Sequence, residues 1–362
     1  MNRAVRALVV GLWSSLAASG CLWSPNIEGQ GYNRCQADAD CAPGRACEVG
    51  LCAPPPWNDD AFGARQLFVV ENKAATPLPA GAAVPLRVGA GGVIESRELG
   101  VDGRFTFFDK DALAWSVTPV FRDIYDDHLL TWIPLGAEVP AGQSAPLAWL
   151  ETQTGDVAPT ILEDPSQVFL FFDELEGTEL DPERYDTFGT GTPTLSDGHV
   201  NVADNQRLVA TVPLAPPVSV VFRGRINGAT CSRFYVGLTA NDDAGYAPPS
   251  AGFFSNAALE LVPEVAPDAD SVPRPVGDNV PLDTAQHRFR IDVGDGRARF
   301  SIDDDVVAEP DLRPPLEAEA LYFRLEVDGA CSFDLERLMV TPLPIDEPVV
   351  TAEARVEYEI FN

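Results

Sequence analysis

The chain has 362 residues, an apolar fraction of 45% and a formal charge of -30, from 55 acidic against 25 basic side chains. That is enough length for two ordinary domains plus something small, and enough apolar content for packed cores. The charge excludes a nucleic-acid partner, because a phosphate backbone is bound by clustered Lys and Arg that displace its counterions, and reads instead as solvation outside the cell.

Residues 1–20 open with Arg3 and Arg6, run apolar from Ala7 to Ala17 and close on Ala18, Ser19 and Gly20 before Cys21. This is the layout of a secretory signal peptide, whose apolar run falls short of the roughly 20 residues that span a bilayer. The ending ASGC resembles the lipobox of bacterial lipoproteins, except that Ala18 stands where that motif carries Leu. The resemblance implies a diacylglycerol on the Cys21 thiol, cleavage just before it and acylation of the new amine, so that the partner is a membrane reached through a lipid anchor. More than one acyl chain gives stable attachment, at about 0.8 kcal/mol per buried methylene. Leu22 in place of Asp implies, by the same resemblance, export to the outer membrane or cell surface of a Gram-negative bacterium. Residues 21–33 are then a lipidated tether.

Seven cysteines is an odd number, and assigning Cys21 to lipid leaves an even set. An exported chain reads such a set as disulfides. Four cluster as C-x5-C-x5-C-x4-C over residues 34–53, which are too few for a hydrophobic core, so cross-links must supply the order. Of the three pairings open to Cys35, Cys41, Cys47 and Cys52, the interleaved one, Cys35 with Cys47 and Cys41 with Cys52, holds a minimal knot best. Zinc is the weaker reading, since the CxxC pairs of zinc sites are missing. The pattern is similar to the cysteine-rich repeats that follow the anchor in myxobacterial surface lipoproteins, which implies a stalk or an interaction knob.

Three prolines, Pro54 to Pro56, end the knot as a stiff spacer. Over residues 57–165 the texture becomes short runs such as QLFVVEN, AVPLRV, GRFTFFD and LLTWIPL, rich in Val, Phe, Trp and Leu and separated by Gly, Pro and Asp. This predicts a first β-sandwich of immunoglobulin-like size, with Trp115, Trp132 and Trp149 as core residues. The segments WNDDAFGARQLFVVEN, DGRFTFFDKDALAWSV and VFLFFDEL are similar to an uncharacterised bacterial surface domain that precedes a concanavalin-like lectin domain. That family has no assigned activity.

Residues 168–345 carry the second β-rich region. Val218, Val220, Phe222 and Ile226 alternate with Ser219, Arg223 and Arg225; Phe289, Ile291, Ala298, Phe300 and Ile302 do the same, as do Leu321, Phe323, Leu325 and Val327. Antiparallel strands with one wet face predict a larger sandwich. FRIDVGDGRARFSIDDDVVAE resembles the hairpin pair of concanavalin-like jelly rolls, with Asp303 to Asp305 as turn residues. Cys231 and Cys331 read as a staple within it. PEVAPDADSVPRPVGDNVP reads as a solvated loop. Residues 346–362 form a terminal strand whose sheet partner the sequence leaves open. The fold class is therefore all-β: two sandwiches after a disulfide knot.

For chemistry, concanavalin-like folds include retaining glycosidases, which resemble one another in an E-x-D-x-x-E strand bearing a nucleophile and an acid/base. The nearest match is Glu326, Asp328 and then Cys331 where the second glutamate should stand. His128, His199 and His287 are isolated and read as surface residues, and HExxH, GxSxG and P-loop motifs are missing. These observations lead to a non-catalytic protein without a cofactor, recognising a glycan or an envelope protein, with a structural spacer as the alternative and a carbohydrate-active enzyme third. The binding candidates are Asn241, Asp242, Asp243 and Tyr246, which combine carboxylates with an aromatic ring and could hold calcium or a sugar.

Overall fold

The computed structural model describes residues 46–48, 51–53, 62–94, 103–109, 114–124, 128–153, 162–228, 231–241, 246–255, 260–281, 283–294, 296–312, 316, 320–343, 346, 348–352 and 356–357. The signal peptide, Cys21, Cys35 and Cys41 lie outside them, and so do both pairings expected in the knot. The chain divides into two compact units, residues 1–60 with 108–115 and residues 61–107 with 116–362. In the first, β1 (Ala46–Glu48) and β2 (Leu51–Ala53) form an antiparallel ribbon in which the Cα of Cys47 is opposite that of Cys52.

The second unit begins with β3 (Phe62–Glu71), β4 (Ala83–Gly89), β5 (Arg104–Asp109) up to residue 107, β6 (Ala114–Val117) from residue 116, β7 (Phe121–Ile124), β8 (His128–Pro134) and β9 (Ser144–Gln153). One sheet runs β3-β9-β5-β6 and the other β4-β8-β7. Their period-two apolar positions meet face to face, with Phe68, Val70, Val84, Leu86, Phe105, Leu129, Ile133 and Leu150 buried together. Burying each such side chain contributes about 1.5 to 3 kcal/mol, and this is what holds a sandwich that has no cross-link. A one-turn helix, α1 (Pro165–Val168), starts on Pro165 behind the cap Asp164, whose Oδ1 accepts from Ser166 N at 3.2 Å.

The second sandwich follows: β10 (Phe171–Asp173), β11 (Tyr185–Gly189), β12 (Thr194–Ser196), β13 (His199–Val202), β14 (Gln206–Ala210), β15 (Val218–Asn227), β16 (Arg233–Thr239), β17 (Ser250–Ser255), β18 (Glu260–Ala266), β19 (Arg274–Pro275), β20 (Val280–Pro281), β21 (His287–Gly294), β22 (Arg297–Ile302), β23 (Asp305–Ala308), β24 (Tyr322–Asp328) and β25 (Ser332–Thr341). The inner sheet, so called because it faces the first sandwich, runs β12-β13-β25-β15-β21-β22-β23. The outer sheet runs β11-β14-β24-β16-β17-β18-β19. All pairs between neighbours in these two orders are antiparallel, which makes a concanavalin-like jelly roll. The alternating residues of β15, β21, β22 and β24 fill its core, where Phe222 stacks on Phe289 with centroids 5.0 Å apart and meets Phe323 edge-on at 5.4 Å.

Cys231 and Cys331 form a disulfide just ahead of β16 and β25, across a sequence separation of 100. Beside it, Gly329 has φ +102° and a Cβ there would lie 2.5 Å from Ser232 N, so only glycine fits the turn that brings the two cysteines together. The DDD turn is also formed by residues in the left-handed region, Asp303 at φ 51° and Asp304 at 73°. The proline-rich stretch departs from the loop expected of it. Pro263 to Ala266 continue β18, because a proline can keep a strand position where its carbonyl alone is used, and Pro263 O accepts from Val276 N at 2.9 Å.

The chain then returns to its start. β26 (Val349–Ala352) and β27 (Val356–Glu357) both pair antiparallel with β3, so the terminal segment joins the first sandwich. The outer surface of the inner sheet packs there as well. Val221 and Met339 meet Ala83, Phe121, Trp132, Val168 and Phe169 in one apolar cluster, and Ala83 N donates to Thr341 Oγ1 at 2.7 Å. Arg337 donates to the buried Asp123 at 3.0 Å and lies over the Phe121 ring at 5.1 Å.

Two stability outcomes follow. Replacing both Cys231 and Cys331 by Ser is expected to remove about 4 to 5 kcal/mol, the loop-closure entropy of a cross-link of this span; an unchanged urea midpoint would contradict it. Arg337→Ala, which leaves Asp123 buried with its principal cation gone, is expected to cost about 3 kcal/mol and to loosen the contact between the sandwiches, read as faster hydrogen exchange at Phe121 and Met339.

Candidate active site

The outer sheet turns its free face away from the first sandwich. Directly opposed residues of antiparallel strands share a face, so the registers give the rows of this surface. One row carries Arg207, Glu326, Tyr235, Phe254 and Val262 on β14, β24, β16, β17 and β18. The next carries Arg324, Gly237, Gly252 and Glu264. The two glycines form a floor on which the Tyr235 ring lies, since a Cβ at Gly252 would sit 2.7 Å from that ring. Tyr235 is buried and donates to Leu238 O at 2.8 Å, and burial pushes its phenol well above the usual range.

The motif read from the sequence stands in the first row and is locked. Glu326 accepts from Arg324 Nε and Nη2 at 3.1 and 3.0 Å, with Arg207 Nη2 at 3.4 Å and Arg233 Nη1 at 3.5 Å on its other oxygen. Arg324 is fully buried, so this is a structural ion network whose members satisfy one another. Asp328 stands opposite Arg233, and Cys331 is consumed by its disulfide.

The sequence reading missed β18. Its inward positions, Leu261 and Val265, join the core, which leaves Glu260, Val262 and Glu264 on the free face. Burial raises the Glu264 carboxyl above the ordinary glutamate range, and the Arg233 guanidinium offsets part of that rise. Glu260 is exposed and accepts from Asn279 Nδ2 at 2.8 Å. Alternation in ELVPEVA carried the signal, but Pro263 and the prolines after it masked the strand.

Tyr246 completes the group. Its hydroxyl lies 2.5 Å from Ser250 Oγ, its ring meets Tyr235 edge-on at 5.1 Å, and the Arg233 guanidinium sits 5.9 Å from its centroid. Burial raises its phenol as well. Of its companions in the sequence candidate, Asn241 serves through its backbone, accepting from Thr239 Oγ1 at 3.1 Å, while Asp242 and Asp243 lie outside the described residues. Among the described residues no group of three or more His, Cys, Asp or Glu could hold a metal ion.

The histidines differ from expectation in one case. His128 is buried at 8% exposure, at the head of β8. His287 lies between Asp303 and Asp283 at 2.6 and 3.2 Å, and His199 is 3.9 Å from Asp334. Burial would raise the Asp334 carboxyl, but hydrogen bonds from Asn201, Asn227 and Arg225 outweigh it and hold it below the usual range.

No protein-family model and no curated protein matches the sequence. Solved structures do. LamAcat from Zobellia galactanivorans is 12% identical with a TM-score of 0.41, covering 48% of this chain and 97% of that one. The endo-β-1,3-glucanase from Pyrococcus furiosus is 12% identical with a TM-score of 0.38, covering 48% and 93%. SCLam, a non-specific endo-β-1,3(4)-glucanase from family GH16, is 8% identical with a TM-score of 0.40, covering 48% and 89%. The likeness is one of strand arrangement and assigns no residue. Glucanases stand among these neighbours, and the expectation of a non-catalytic recognition module is withdrawn. The β24 motif carries no acid pair, as the sequence implied, since arginines and a disulfide occupy its positions; β18 places two other glutamates on the same face.

The raised Glu264 carboxyl has a sign that can be tested. Its protonated form is the one the fold favours, so its contribution to stability is full below the unfolded-state value and is lost as pH rises through the folded one. Carboxyl-carbon NMR should place its midpoint above that of free glutamate, and Arg233→Gln should move it further up. A midpoint at or below the free value would contradict the assignment.

Proposed function

We propose that this protein is a carbohydrate-active enzyme of the cell envelope, cleaving glycosidic bonds on the free face of its outer sheet. The observation that carries the reading is the pair Glu260 and Glu264 on β18, one carboxyl exposed and the other partly desolvated. Glycoside cleavage needs that division between two carboxyl groups flanking one bond, a proton donor with a raised pKa and a second carboxylate. Glu264 is the donor, protonating the leaving oxygen. Glu260 acts as base on the opposite side, taking a proton from the water whose oxygen bonds to the anomeric carbon as the glycosidic bond breaks.

Four positions along a strand set the two Cα atoms about 13 Å apart, so the carboxyls meet over a sugar ring only with both side chains leaning toward Val262. Tyr246 offers a ring edge and a hydroxyl to the sugar, and Arg233 links it electrostatically to Glu264. The substrate class to try first is β-1,3-glucan, on which the glucanases named above act. Attachment through a lipid on Cys21, after removal of residues 1–20, belongs to the same proposal and would hold the enzyme at the outer membrane.

The test is release of reducing ends from laminarin and related β-glucans by the intact mature chain. Glu264→Gln is expected to lower kcat by about 10² to 10⁴ with the melting temperature kept, and Glu260→Gln to do likewise. The wild-type rate should fall as pH rises through the Glu264 midpoint, since the donor must carry its proton. Failure to release sugar from any glycan of the panel, or an unimpaired Glu264→Gln variant, would overturn the reading.

A further inference from the structure

A cleft of about 350 Å³ lies where the first sandwich meets the inner sheet of the second. Its wall takes Arg87 and Trp132 from one side and Arg288, Arg290 and Arg299 from the other, with the carboxylates Asp292 and Asp304 among them. Four guanidiniums and two carboxylates line the cleft itself, with Glu309 and Asp346 reaching Arg299 from outside the lining, in a chain of formal charge -30.

The array is built rather than scattered. Arg288, Arg290 and Asp292 alternate along β21, and β22 sets Ser301 opposite Arg290 and Arg299 opposite Asp292. Acids fix the guanidiniums in place: Arg288 pairs with Asp304, Arg290 Nε lies 2.7 Å from the buried Asp292 and 3.1 Å from Ser219 Oγ, and Arg299 Nε is 2.9 Å from Glu309. Arg87 is oriented by its own hairpin, donating to Ala90 O at 2.9 Å. Trp132 is buried at 3% exposure, and its indole N–H has no acceptor among the described residues. Pro85, Leu130 and Val306 supply apolar wall between the charges.

We propose that this cleft binds a small saccharide bearing a carboxylate or sulfate group. Planar guanidinium forks match both anions in a bidentate way, and the volume falls in the range of small-ligand sites in which apolar walls carry a few placed polar groups. The apolar residues face the C–H surface of the ring. The commitment to a saccharide rests on the carbohydrate reading above, while the anion specificity rests on the cleft alone.

The experiment is calorimetric titration of the intact mature chain carrying Glu264→Gln, so that binding is read without turnover and the two proposals fail separately. The probes are digalacturonate, a sulfated galactobiose, neutral galactobiose and inorganic sulfate. One or both charged disaccharides are expected to bind at least about tenfold more tightly than the neutral one, and to weaken with added salt. Arg87→Gln and Arg288→Gln, one from each sandwich, are each expected to weaken that binding by about tenfold. Equal binding of charged and neutral disaccharides, or full affinity in both variants, would overturn the site. Sulfate binding as tightly as the sulfated sugar would overturn its assignment to a saccharide.

Discussion

Asp123 is a carboxylate at 4% exposure that takes its charge partners from the other sandwich: Arg337 at 3.0 Å and Arg223 at 3.9 Å. Isolated, such a charge would be costly to bury, so the ion pair specifies where Arg337 must stand rather than adding much net stability. The surrounding cluster of Phe121, Trp132, Phe169, Val221 and Met339 supplies the stabilisation. Together they make two sandwiches into one unit, which β26 and β27 reinforce by returning to β3.

Both proposed sites depend on that contact. By covering part of the inner sheet it leaves the outer sheet as the face on which a long substrate can lie, and along its margin it sets Arg87 and Trp132 beside the arginines of β21 and β22. On the outer sheet the charged residues divide into two kinds. Glu326 sits among three guanidiniums and serves the fold, whereas burial raises the Glu264 carboxyl and Arg233 offsets only part of that rise, the direction its proposed donor role requires. The glycines at 237 and 252 allow the Tyr235 ring to lie flat between these two regions.

Much of the architecture was legible because period-two alternation decides which side chains are buried. Val218, Val220, Phe222 and Ile226, and likewise Phe289, Ile291, Phe323 and Leu325, all point into the core as their spacing requires. Cys231 with Cys331 was legible from cysteine arithmetic. The partner of the terminal strand was not, since alternation in residues 349–352 names a buried face but no neighbour. Prolines concealed β18, because a local rule treats Pro263 as a breaker while its free carbonyl still joins the sheet. The Arg cleft was beyond any linear reading: Arg87 and Arg288 are brought together only when two domains dock.

The central claim is that sugar is handled on the free face of the outer sheet, around β18. Backbone amide shift mapping of the isotopically labelled chain carrying Glu264→Gln, titrated with laminaritetraose, tests it most directly. The account predicts perturbations centred on Leu261 to Val265, Arg233 to Tyr235 and Tyr246. Perturbations confined to other strands, or none at saturating sugar, would contradict it.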